Sequence, residues 1–395
     1  MDIAINDIGL LIVTAAVVAM VARRAGIPYS VGLVLTGGAL AAVGLAPPLR
    51  LSRELIYVVF LPPLVFQAAL YLDWRELRRD FAVIGTFATV GVVIAAAITA
   101  VGIHYLAGWP VAASACFGAL IAATDPVSVI ATFKEAGVQG RLRLLVEAES
   151  LFNDATAAIL FGVALEYAAG GASSPGSIGA TLLLSIGGGF AAGAIVAVGA
   201  LLLARNTTDP LVEVTITTVA AYGAFLAAER FHASGVLACL TAGLIVGTVG
   251  MRGPMSQGGR AAITAFWDYA AFVVNSLIFL LIGVQLAHER LTDLVLAAAL
   301  AVSLVLVSRA ATIYPLSALF ARSALRVAAP HQHVLFWGGL RGALALALAL
   351  GLPESLPGRE AVLTVTFAVV AFSIIVQGLT MSPLLRRLGE IGPPR

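Results

Sequence analysis

An all-α polytopic membrane fold of about thirteen transmembrane helices is what the sequence predicts, on three observations. Of 395 residues, 60% are hydrophobic and 11% charged, against roughly 25% charged in a soluble domain. The apolar runs have the length a bilayer core needs, about 20 helical residues for about 30 Å. Two of them are broken in mid-course by helix-disrupting residues, the pattern of an inverted-repeat transporter with interrupted crossing helices. Disorder needs low hydrophobicity and high charge, so that class is excluded. Forty glycines without a G-X-Y period exclude collagen. A net charge of +2 leaves no basic field for nucleic acid. Cys116 and Cys239 lie in apolar runs without a ligand pair nearby, which excludes a disulfide framework or a zinc site.

Turn and charge clusters place the spans at roughly 5–22, 27–46, 54–71, 81–106, 110–134, 142–168, 176–204, 208–228, 232–250, 261–287, 292–321, 332–351 and 361–385. The first run follows Asp2 and Asp7 and has neither a basic leader nor a small-residue cleavage site, so it reads as a retained span. Breaks fall at Ala46-Pro47-Pro48, at Gly170 to Pro175, and at Leu352-Pro353 with Pro357-Gly358. No Asp, Glu, Lys or Arg occurs between Asp80 and Asp125 or between Glu166 and Arg205. No loop is long enough for a soluble domain.

The basic residues test this scheme. With the N-terminus outside, sixteen of the 23 Lys and Arg residues fall in the inner loops and at the C-terminus, among them Arg23, Arg24, Arg75, Arg78, Lys134, Arg141, Arg252, Arg322, Arg386, Arg387 and Arg395. Five fall in the opposite loops (Arg50, Arg53, Arg230, Arg290, Arg359), and Arg309 and Arg341 lie inside spans. Positive charge collects on the cytoplasmic side, so the C-terminus is expected in the cytoplasm.

A charge at the bilayer centre costs at least ~2.5–3.5 kcal/mol and marks function by default. Asp125, Glu149, Asp154, Asp268, Arg309 and Arg341 are the charges so placed, with Glu147 and Glu213 nearer span ends. Counted from the inner face at 1.5 Å per residue, Asp154 lies ~20 Å deep, Asp125 ~14 Å, Arg341 ~15 Å and Arg309 ~20 Å. Four spans thus bring two acids and two bases to a common depth. In Ala123-Thr124-Asp125-Pro126-Val127 the proline removes a helix donor. Gly338-Gly339-Leu340-Arg341-Gly342 is a second weak point. Irregular backbone at membrane depth must line a cavity or lie buried in protein. The two broken spans are seven apart in order, so they run in opposite directions. Along the helix Glu149-Ser150-Leu151-Phe152-Asn153-Asp154, Ser150 shares a face with Asp154 and Glu149 with Asn153. Carboxylate, hydroxyl and amide oxygens are hard ligands suited to a small monovalent cation.

These residues resemble the monovalent cation/proton antiporter family of the NhaP and sodium/hydrogen exchanger type. Thr124-Asp125-Pro126-Val127 with Phe133-Lys134, then Glu149 to Asp154, then Gly338-Gly339-Leu340-Arg341-Gly342-Ala343 occur in family order, with weaker support from Phe60-Leu61-Pro62-Pro63 and from Arg24 with Pro28-Tyr29. The resemblance implies an NhaA-like antiporter fold and a homodimer. It implies that Asp154 alternates between proton and cation, that Asn153 and Asp125 shape and polarise the site, and that Thr124 and Ser150 supply oxygens. Asp154, Ser150 and Thr124 would then contact the monovalent cation. Glu149 and Arg309 would form a structural ion pair, and Arg341 would compensate charge where the broken spans cross. Gln67 stands where many members carry an acid, which makes it a peripheral residue at most. A single transmembrane domain over 1–395 is implied, with a core bundle including about 81–168 and 292–385 and a scaffold and dimer part including about 1–50 and 176–287.

Transported Na⁺ (or Li⁺ or K⁺) and protons are the small partners this reading expects, with the lipid bilayer around the chain, no nucleic acid and no resident cofactor. Burial penalises a carboxylate's charged form and a bound cation stabilises it, so the two ions compete. One titrating acid beside Asn153 predicts electroneutral one-for-one exchange by alternating access. A K⁺/H⁺ antiporter and a sodium-coupled solute symporter of related architecture are the alternatives. An enzyme is disfavoured, because the chain has no H-E-x-x-H, Ala233-Ser234-Gly235 is no serine elbow, and Lys134-Glu135 is no P-loop.

Overall fold

The computed structural model describes residues 5–25, 27–46, 51–170, 175–288 and 295–391. Asp2, Pro47-Pro48, Arg50, Gly171 to Ser174, Arg290 and Arg395, used in the sequence reading, lie outside the described residues. Every regular element among the described residues is helical. In chain order the α-helices are α1 (Ile5–Ala25), α2 (Tyr29–Ala42), α3 (Leu61–Leu70), α4 (Trp74–Thr86), α5 (Val92–Ala107), α6 (Val111–Ala122), α7 (Val127–Ala136), α8 (Arg141–Ala168), α9 (Pro175–Ala204), α10 (Pro210–Arg230), α11 (Gly235–Ile245), α12 (Gln257–His288), α13 (Val295–Leu319), α14 (Ala329–Trp337), α15 (Ala343–Leu350), α16 (Arg359–Phe372) and α17 (Gly378–Arg387). π-helical turns at Leu55–Phe60, Phe87–Gly91, Val246–Gly250 and Ser373–Gln377 run directly into neighbouring α-helices. Seven helical runs among the described residues are long and apolar enough to cross a membrane, from Trp74–Ala107 to Arg359–Arg387, and shorter apolar helices such as Tyr29–Ala42 and Val111–Ala122 accompany them. The chain is a membrane protein.

One expected boundary moves. The span placed at 81–106 belongs to a helical run that already begins at Trp74. The Asp73 carboxylate accepts the N–H of Arg75 at 2.7 Å and so caps the new end. Charged Trp74 to Asp80 then forms an amphipathic first section, which an apolar window does not detect.

The chain folds as two compact units: 1–56, 82–168 and 275–395 form the first, 57–81 and 169–274 the second. Helices α1 and α2 belong to the first unit, where they pack on each other. There α5 packs on α6 and α13, α6 on α8, and α15 on α16. In the second unit α9, α10, α11 and α3 pack together.

In the first unit α2 meets the end of α12 with backbone against backbone. A Cβ on Gly37 would run into the carbonyl of Leu280, and one on Gly283 into that of Val34. Close approach of this kind is what small residues permit in membrane helix contacts. A Gly283→Val chain is expected to lose at least ~1–3 kcal/mol of stability, the usual cost of overpacking a filled contact. Thermal melting of purified protein in detergent measures it, with Gly9→Ala, where a Cβ meets open space, as the control.

Candidate functional site

Two helices of the first unit stop and restart. α6 ends at Ala122, Ala123 is extended (φ −57°, ψ 138°), and α7 resumes at Val127. Pro126 lacks an N–H and pushes the residue before it out of the helical region. α14 ends at Trp337 and α15 begins at Ala343, with the glycine run between them. The two breaks touch: the N–H of Asp125 donates to the carbonyl of Leu340 at 2.7 Å. A Cβ on Gly342 would collide with the Asp125 carboxylate, which is why this position is bare.

Four helix ends meet here, each with peptide groups that its own helix cannot pair. Asp125 serves the N-terminal ends. Its carboxylate accepts the N–H of Val127 at the start of α7, at 2.9 Å, and that of Ala343 at the start of α15. Arg341 serves the C-terminal end of α6: its Nη1 donates to the carbonyls of Ala122 and Ala123 at 2.6 and 3.0 Å. Arg309, from α13, serves the C-terminal end of α14 by donating to the carbonyl of Leu335 through Nε (3.2 Å) and Nη2 (2.9 Å). An acid at N-termini and bases at C-termini match the helix dipoles.

Along α8 the polar side chains fall into two networks. Glu149, 2% exposed, binds Arg309 with both oxygens, Nη1 to Oε1 at 2.8 Å and Nη2 to Oε2 at 3.0 Å. The Nδ2 of Asn153 donates to Glu149 Oε1 at 3.2 Å. That bond fixes the amide's orientation and turns its Oδ1 away from Glu149. One residue on from Glu149, the Ser150 hydroxyl bonds the carbonyl of Thr124 and lies 3.0 Å from its Oγ1. A narrow cleft lies against these groups, lined by Thr124, Pro126, Glu149, Ser150, Arg309 and Gly338 among others.

Asp154 carries less support. The N–H of Thr124 donates to its carboxylate, and Asp125, Glu149 and Arg341 are near enough to act on its charge. Its Oδ1, however, is buried without a hydrogen-bond partner, as are Asn153 Oδ1 and Arg341 Nε. Asp125 and Asp154 as residues keep some accessible surface, whereas Thr124, Glu149, Ser150, Asn153, Arg309 and Arg341 are buried.

The structure thus brings together Thr124, Asp125, Glu149, Ser150, Asn153, Asp154, Arg309 and Arg341, all in the first unit. Gln67 belongs to the second unit, where its amide donates to Asp268 at 2.9 Å. Glu213, also in the second unit, is fully buried and accepts the N–H and hydroxyl of Ser256 just before α12. Sequence reasoning missed that capping role. It also missed the carbonyl of Leu335 as the second partner of Arg309, for an acceptor on the backbone has no signature in residue type.

Broken helices crossing at buried charges, in an all-helical membrane protein, define the class of secondary transporters. The transmembrane sodium/hydrogen exchanger family matches residues 12–387, and the chain belongs to it. It is a transporter, not an enzyme. Among its relatives, the low-affinity Na⁺/H⁺ antiporter NhaS1 of Synechocystis is 39% identical over 372 residues, spanning 93% of this chain and 70% of the relative. The Na⁺/H⁺ antiporter NhaP of Pseudomonas aeruginosa is 37% identical over 85% of this chain and 81% of its own. The Na⁺/H⁺ antiporter NhaH of Halobacillus dabanensis is 33% identical over 99% of both. In fold, the chain is similar to the sodium proton antiporter MjNhaP1 of Methanocaldococcus jannaschii, with a TM-score of 0.79 at 19% identity over 99% of each chain.

Breaking the Glu149–Arg309 pair from one side leaves a buried charge without its partner, which costs about 3–5 kcal/mol. The Glu149→Gln chain is therefore expected to melt well below the parent in detergent. Arg309→Met should fall at least as far, because the Leu335 carbonyl then loses its donor too.

Proposed function

We propose that this chain exchanges Na⁺ for H⁺ across the membrane, one for one, with Asp154 as the carboxylate that carries each in turn. The observation that carries the reading is the pair of neighbouring buried acceptors, Asp154 Oδ1 and Asn153 Oδ1, neither of which has a donor. Buried polar atoms ordinarily have partners. Bare buried oxygens on successive residues suit a cation, and protonation of Asp154 removes the buried charge when no cation is there. Thr124 and Ser150 add hydroxyl and carbonyl oxygens beside them. The relatives' antiport of Na⁺ and H⁺, stated in their names, supports the same exchange here.

Charge supports the stoichiometry. Asp125 and Glu149 are matched by Arg309 and Arg341, each with the backbone or side-chain partners given above. With those four ionised, a protonated Asp154 leaves the group neutral, and so does an ionised Asp154 holding one monovalent cation. The exchange written out is Asp154–COOH plus Na⁺ giving Asp154–COO⁻·Na⁺ plus H⁺, with nothing left over. Only the empty ionised form carries a net charge, and a buried uncompensated charge is costly. Access to the two membrane faces then alternates in either loaded form and not in the empty one, which couples the two fluxes.

Around that site we propose about thirteen spans with inverted repeats, an N-terminus outside and a cytoplasmic C-terminus in a prokaryotic inner membrane, and a homodimer. The divided run of basic residues supports the orientation. No resident cofactor is needed for the exchange.

Proteoliposomes with an internal pH dye test the function. Addition of Na⁺, Li⁺ or K⁺ in turn should move protons for at least one cation. An imposed membrane potential should leave the rate unchanged, and a rate that follows the potential overturns one-for-one exchange. Asp154→Asn should abolish exchange, and exchange retained in that variant overturns the assignment of the carrier.

A further inference from the structure

The end of α14 has one more donor, and it comes from a helix that the site described above does not use. Trp337 is the last residue of α14, so its carbonyl faces the break with no helical N–H to meet it. The Nε2 of Gln377 donates to that carbonyl at 2.9 Å. Gln377 is 2% exposed and ends the π-helical turn Ser373–Gln377 between α16 and α17. One turn further on, the hydroxyl oxygen of Thr380 accepts the indole N–H of Trp337 at 2.8 Å. The Thr380 proton is already committed to the carbonyl of Val376 on its own helix, so its free lone pair faces Trp337. Trp337 is therefore clasped by backbone and side chain from successive turns of one helix. All of these residues lie in the first unit.

Four other carbonyls at this break have partners of their own. That of Val334 takes the N–H of Gly338, that of Gly338 the N–H of Leu340, and that of Leu340 the N–H of Asp125. That of Leu335 takes Arg309. Gln377 does for Trp337 what Arg309 does for Leu335, with the difference that it brings no charge. A π-turn adds a residue to the helix and reorients the side chains that follow, and such turns recur at functional sites. Here it ends on the residue whose amide reaches the break.

We propose that Gln377 is a positioning residue for cation binding: through the Trp337 carbonyl it fixes the end of α14, and with it the run Gly338 to Gly342 that sets Asp125 and Arg341 beside Asp154. The inference rests on the reading of this crossing as the transport site. Gln377 touches neither Asp154 nor the cation, and its effect passes through the backbone of the break.

Two variants test it in proteoliposomes. Gln377→Met keeps the length and removes the donor. Loss of one hydrogen bond that orients the site should raise the apparent KM for Na⁺ by roughly three- to tenfold, with a smaller change in maximal rate. Gln377→Glu carries a donor only when protonated, since an ionised carboxylate can only accept and faces a carbonyl oxygen. Its rate relative to the parent should therefore approach one at the acid end of the range and fall as pH rises. The parent amide does not titrate, so the trend reports the donor at this position, and the KM of the Met variant separates positioning from loss of stability. A Met variant with the parent's KM overturns the proposal even if its melting temperature drops. If the Met variant does not fold, a flat ratio of Glu variant to parent across pH overturns it alone. Asp154→Asn, run alongside, separates the two ideas. Exchange that survives in Asp154→Asn removes the transport site itself, whereas abolished exchange with an unaltered Gln377→Met removes only the role of Gln377.

Discussion

A helix that stops inside a membrane protein strands peptide groups where water cannot reach them, and in this chain the remedy for that problem also builds the candidate site. An unpaired peptide group in hydrocarbon costs several kcal/mol. The breaks at Thr124 to Pro126 and at Gly338 to Gly342 can exist only because side chains take the place of the missing helical partners. Asp125 sits on the two N-terminal ends, Arg341 on one C-terminal end and Arg309 on the other. Each of these charges is held by the dipole it neutralises. The result is a fixed electrostatic frame that owes nothing to a transported ion.

From that frame the chemistry follows by a chain of contacts. Arg309 anchors Glu149 with a two-pronged bond, Glu149 takes the amide of Asn153, and Asn153 is left with a buried carbonyl oxygen that no donor meets. Asp154 follows on the same helix, with the N–H of Thr124 on its carboxylate and Oδ1 bare. The structural charges thus do two things at once: they tie α8 to α13, and they orient the Asn153 amide. Packed apolar groups in place of a buried ion pair are often as stable, yet here they would leave the Asn153 amide unoriented.

Much of the site was legible in the sequence because its signals are local. Asp125-Pro126 and the glycines around Arg341 mark breaks in any helix, and spacing along 149–154 places the polar groups of α8 on adjoining strips of one helix. Depth counted from the flanking basic residues grouped the acids with the arginines. What the sequence withheld depends on partners far away in the chain. The hydrogen bond of Gln67 to Asp268 joins residues 201 positions apart, and nothing in either neighbourhood announces the other. Backbone acceptors such as the carbonyls of Leu335 and Trp337 are invisible to a reading by residue type. The early start of the helix at Trp74 was hidden for the opposite reason, since its first section is charged and reads as a loop to any apolar criterion.

The paired glycines of α2 and α12 bear on how the first unit can move. Because Gly37 and Gly283 each rest on the other helix's main chain, neither helix can rotate or slide without driving a backbone oxygen into its neighbour. The two helices meet there with no cushion of side chains between them. Contacts that run through longer side chains have more give than a seam of this kind.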